Sequence, residues 1–73
     1  MEESQIKERL LAQNAEFRKL HDEHQRYEKK LAALKEKTFL SEEEKLEEKE
    51  LKKRKLALKD KMYLMMRDFE KAR

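Results

Sequence analysis

Glycine, proline, cysteine and tryptophan are all missing from these 73 residues, and each absence removes a class of structure. Strand-and-turn folds turn their corners on Gly, Pro or Asn-Gly, none of which is present. A phosphate-cradling loop needs glycine as well. Lacking cysteine, the chain has no disulfide framework and no thiolate metal site. No apolar run approaches the roughly 20 residues of a membrane span. The acidic opening Met1-Glu2-Glu3 does not read as a secretory signal, so a cytoplasmic location is the expectation.

What fills the chain is charge, at 51% of residues, against 37% hydrophobic. Lys, Glu, Leu, Ala and Arg, all strong helix formers, dominate, and such a mixture belongs to long helices and coiled coils. Highly charged chains can also be disordered, but the order of the apolar residues argues otherwise. From Leu10 they run Leu10, Gln13, Phe17, Leu20, His24, Tyr27, Leu31, Leu34, in alternating steps of three and four. That is the heptad seam of a coiled coil. A second seam follows as Leu51, Lys55, Leu58, Met62, Met65, Phe69 and Ala72.

Between the seams, Ser41 precedes Glu44 by three residues, the capping box of a new helix. Facing residues of two antiparallel helices have numbers that add to a near-constant. Tyr27 with Leu51, His24 with Lys55, Leu20 with Leu58 and Phe17 with Met62 all fit one such register, which centres the turn near Phe39. The turn found from pairing and the turn found from capping therefore coincide. The expectation is an all-α, antiparallel two-helix coiled-coil hairpin in a single domain over 1–73. Its helices cover about 14–37 and 42–71, and its turn about 38–41. Asn14 is a good N-cap, so residues 2–12 form either a short leading helix or the frayed start of the long one.

Charge is uneven along the chain. Residues 41–50 hold two Lys and six Glu, whereas residues 51–73 hold nine basic and three acidic side chains. Acid at the start and base at the end suit the dipole of a helix beginning near residue 42. The run Lys52-Lys53-Arg54-Lys55, with Lys59 and Lys61, could also meet phosphates. It lacks interleaved aromatics for base stacking, and glutamates lie directly upstream.

Catalytic chemistry has little to draw on. Ser4 and Ser41 are the only serines, and His21 and His24 supply two of the three or four ligands that zinc requires. No cofactor, metal or small-molecule substrate is expected, and the chain does not read as an enzyme. Leu56, Tyr63 and Met66, at steps of seven and three, widen the apolar face beside the main seam, together with Leu46 and Ala15. A Met- and Tyr-bearing strip of this kind suits a helix–helix interface. The residues expected to pack are Phe17, Leu20, His24, Tyr27, Leu51, Leu56, Leu58, Met62, Tyr63, Met65, Met66 and Phe69.

The stretch Asn14-Ala15-Glu16-Phe17 with His24, followed by Leu51-Lys52-Lys53-Arg54-Lys55-Leu56-Ala57-Leu58-Lys59-Asp60-Lys61-Met62-Tyr63, resembles the YdcH-like family. These are small bacterial proteins carrying a domain of unknown function, and the resemblance covers roughly residues 5–70. Ala15 stands where that family often has Pro, Tyr27-Glu28 where Leu-Asp is common, and Lys61 where an acid is usual. The resemblance implies a helical hairpin in the bacterial cytoplasm, with no established activity.

The functional expectation is a non-catalytic helical scaffold or adaptor. It would bind itself, as a homodimer or larger, and could also bind another helical protein. The alternative, from a different class, is a nucleic-acid-associated protein using the basic face Lys52–Lys61.

Overall fold

The computed structural model describes residues 2–72. Three helices and no strands occur among them: α1 (Glu3–Gln13), α2 (Ala15–Lys35) and α3 (Glu42–Lys71). At about 1.5 Å per residue, the 30 residues of α3 extend about 45 Å. That length sets the long axis of a molecule measuring 48 × 20 × 16 Å.

Local chemistry fixes each boundary. Asn14 leaves the helical region at φ −119°, ψ 110°, ending α1 and opening α2. Its backbone N–H still donates to the Leu10 carbonyl at 2.8 Å, while its side-chain oxygen accepts the Phe17 N–H at 3.0 Å. One residue thus satisfies an end of each helix, and the leading segment forms a distinct helix, α1, over Glu3–Gln13 with Glu2 as its N-cap. At the other junction Ser41 Oγ accepts the Glu44 N–H at 3.1 Å, and the Glu44 carboxylate accepts the Ser41 N–H at 3.0 Å. Lys37 closes the turn from the opposite side by pairing with Glu44. That contact, with the two Ser41 bonds, holds the Glu44 carboxyl below its usual range.

Apolar burial forms two clusters. Leu31 and Leu34, late in α2, pack with Leu51 early in α3, flanked by Tyr27 and Leu40. Phe17, early in α2, packs with Met62 and Met66 late in α3. The second cluster also takes Ile6 and Leu10 from α1, with Leu11, Leu20, Met65 and Phe69 packed around it. Phe17 is 0% exposed, the most completely buried side chain described. Three helices meet around that ring.

Two placements differ from the pattern read along the sequence. Gln13 continues the heptad count but is exposed, because α1 ends there and the chain bends at Asn14. Met66, assigned beside the main seam as part of a free strip, is buried against Ile6 and Phe17. The period gives the face on which Met66 lies; α1, which covers that face, lies outside the two-helix register.

Burial gives Phe17 of α2 and Phe39 of the turn opposite weights. Phe17→Ala should lower the unfolding free energy by about 3–5 kcal/mol, enough to erase a cooperative transition in a chain this small. Phe39→Ala, at a position 87% exposed, should change it by no more than about 0.5 kcal/mol. Urea titrations followed by circular dichroism test the pair, and equal effects would show that Phe17 is not the centre of the core.

Candidate functional site

The residues that could carry function fall into two groups, a polar layer midway along α2 and α3 and an exposed face of α3. In the polar layer, Glu28 Oε1 lies 3.0 Å from Lys55 Nζ and 3.9 Å from His24 Nε2. His24 and Glu28 are one helical turn apart on α2, while Lys55 reaches across from α3. One carboxylate oxygen therefore serves an imidazole on its own helix and an ammonium on the neighbour.

The His24 side chain is 18% exposed and that of Lys55 31%, so both are largely covered along the helix junction. Burial lowers the His24 pKa below its ordinary 6.5; Glu28 opposes that shift, and Lys55, Lys59 and Lys7 reinforce it. The hydrogen bond and charge of Lys55 hold the Glu28 carboxyl below its usual range. Near neutral pH the layer therefore consists of a neutral imidazole beside a closed ion pair.

His24 also borders an open crevice of about 170 Å³ where the three helices meet, with Lys7, His21, Gln25, Lys59 and Tyr63 around it. Met62 and Met66 line its apolar side, and no serine or threonine reaches it. His21 Nδ1 stands 3.6 Å from Asp22 Oδ1, a contact on the surface of α2. Among the described residues no three His, Asp or Glu side chains gather where they could hold a metal ion. No described helix is long and apolar enough to cross a membrane.

Of the twelve residues expected to pack, Phe17, Leu51, Leu58, Met62 and Met66 are buried, while Leu20, His24, Tyr27, Met65 and Phe69 are partly so. Leu56 and Tyr63 are 59% and 62% exposed. Leu46 (66%) and Leu64 (46%) accompany them on α3. Leu64 was missed in the sequence because it sits inside a run of apolar residues, where periodicity does not separate faces.

The basic run is partly occupied within its own helix. Lys52 lies 3.7 Å from Glu48, and Arg54 lies 3.7 Å from Glu50. Both pairs are solvent-accessible i,i+4 contacts, Glu48 being the one half-buried partner. Each is worth only about 0.3–0.5 kcal/mol, but they set glutamates among the cations that a phosphate backbone would have to approach.

Known proteins add one finding. A family model described as "Protein of unknown function (DUF465)" matches residues 17–66, which is the family that the sequence resembles. No curated protein and no solved structure matches the chain.

The polar layer carries a pH dependence with a definite sign. With its folded pKa below the unfolded value, His24 binds its proton more readily in the unfolded chain. Its contribution to stability is therefore complete above pH 6.5 and declines as pH falls through the folded value. The melting temperature should drop between pH 7 and pH 5. Replacing His24 and Lys55 together by Leu should raise it at pH 7 and flatten that segment, because two polar groups leave a packed junction. A lower melting temperature in the double variant would show that the two side chains do not face each other there.

Proposed function

The chain belongs to the DUF465 family of proteins of unknown function, and on that premise we propose a non-catalytic scaffold or adaptor that acts through helix–helix packing. The architecture we propose is a single domain built as an antiparallel two-helix coiled-coil hairpin, α2 against α3, with α1 as its leading helix. The two apolar clusters, one joining the start of α2 to the end of α3 and the other the end of α2 to the start of α3, and the Glu28–Lys55 ion pair between them support that arrangement.

One observation carries the functional reading. Leu46, Leu56, Tyr63 and Leu64 leave large apolar area exposed on α3, the helix whose other side is already covered. Isolated exposed apolar residues are ordinary, but four on one helix of a chain this charged form a surface suited to another helix. The total area points the same way. The chain exposes 5985 Å², whereas a compact monomer of its 9.0 kDa would expose about 4,900 Å². An elongated pair of helices leaves that excess for a partner to cover.

Self-association is the simplest form of this role, with Phe17, Leu20, Leu51, Leu58, Met62, Met65, Met66 and Phe69 holding the fold and Leu56 and Tyr63 meeting the partner. The charge pairs along α3 favour this reading over nucleic-acid binding through Lys52–Lys61. A cytoplasmic setting in a bacterium accords with it.

Light scattering at micromolar concentration should give the mass of a dimer or larger species. Leu56→Glu with Tyr63→Glu should give a monomer of unchanged helicity. A well-folded wild-type monomer whose mass is constant on dilution would overturn self-association.

A further inference from the structure

The outer face of α3 carries a seam of its own. Leu46, Lys49, Lys53, Leu56, Asp60 and Tyr63 follow one another at steps of three and four, and all six are exposed. At 100° per residue they form one stripe, on the side of the helix away from Leu51, Leu58 and Met62. Half of the stripe is apolar and half is charged, with both signs present. Among the described residues, Lys49, Lys53 and Asp60 make no ion pair, in contrast to their neighbours Lys52 and Arg54, which are paired to Glu48 and Glu50.

We propose that this stripe is the interface between two copies of the chain, packed α3 against α3 in antiparallel orientation, with Leu46 of one copy against Tyr63 of the other, Lys49 against Asp60, and Lys53 against Leu56. The inference rests on the self-association proposed above and adds its geometry. A two-fold axis then passes through the middle of α3 near Arg54 and Lys55, and each layer occurs twice.

Charge selects this register from its neighbours. In an antiparallel coiled coil the residues that begin the four-residue step face those that begin the three-residue step, so allowed registers differ by a heptad. Sliding one heptad one way sets Lys49 against Lys53 in two layers. Sliding the other way sets Lys49 against Arg67 and leaves Asp60 against Leu56. A parallel, in-register pair opposes every charge to its own copy: Lys49 to Lys49, Lys53 to Lys53 and Asp60 to Asp60. Only the proposed register joins opposite charges, keeps like charges apart and stacks Leu46 on the Tyr63 ring.

Each remaining layer has a physical account. The stem of Lys53 can lie along Leu56 of the other copy with its ammonium reaching water. The two Lys49–Asp60 pairs lie near the rim of a narrow interface, where ion pairs contribute more to register than to affinity. With three apolar side chains per copy in the seam, the dimer should be reversible and dissociate on dilution.

Charge reversal tests the register directly, since these exposed positions are not needed for folding. Lys49→Asp places acid against acid in two layers, and Asp60→Lys places base against base in two. Sedimentation at matched concentrations should show each single variant weakening the dimer about tenfold or more. Mixing the two variants should restore association, because the acid introduced at position 49 then meets the base introduced at position 60 on one side, and Lys49 meets Asp60 on the other. The chain carrying both changes should also dimerise nearly as well as the wild type. Circular dichroism checks that helicity is kept throughout. A wild-type dimer indifferent to either reversal, or single variants not rescued by mixing, would overturn the register while leaving self-association standing. A monomeric wild type would overturn both.

Discussion

The ring of Phe17 is buried completely, and residues of two other helices close around it. Its neighbours come from all three: Ile6 and Leu10 from α1, Met62 and Met66 from α3, and Leu20 from its own helix α2. Asn14 makes this possible from three residues away. By ending α1 and capping α2 at once, it lets the leading segment leave the axis of α2 and lie over the junction with α3. The order of dependence runs from the Asn14 side chain to the bend, from the bend to the placement of Ile6 and Leu10, and from these to the closed surroundings of Phe17. At the other end of the molecule Leu31, Leu34 and Leu51 have no third helix, and their cluster is smaller.

Much of this could be read along the chain, because heptad period and capping chemistry are local signals. The run of Leu31 and Leu34, the matching Leu51 and Leu58, and the Ser41–Glu44 box all declare themselves within a few residues. So does the pairing of His24 with Glu28, one turn apart. The bridge from Glu28 to Lys55 is tertiary, visible in advance only through the register of two helices. Met66 and Gln13 mark the limit. A period specifies the face of a helix on which a side chain lies, without saying what covers that face. The bend at Asn14 removes Gln13 from the seam and brings α1 over Met66. What the sequence left open about residues 2–12 was one backbone conformation, that of Asn14.

Charge on this chain divides into three uses. Along α3, Lys45 with Glu42, Lys52 with Glu48 and Arg54 with Glu50 neutralise one another within a turn. Exposed pairs of that kind add little stability, but they keep a strongly charged helix from repelling itself. At the polar layer Glu28 joins two helices, which disfavours sliding because any shift would set Lys55 or His24 against an apolar side chain. On the outer face of α3, Lys49, Lys53 and Asp60 have no ion-pair partner among the described residues, and there the proposed role in association finds its specificity. Function in this reading comes from which faces are left over once the core has been filled.

The central claim, that α1 is part of the core and not an appendage, is tested most directly by native-state hydrogen exchange. If α1, α2 and α3 share the Phe17 cluster as one cooperative unit, the amides of residues 7–13 should be protected by the same opening free energy as those around Met62 and Met66. Amides in α1 that exchange at nearly unprotected rates, while α2 and α3 remain slow, would contradict the account.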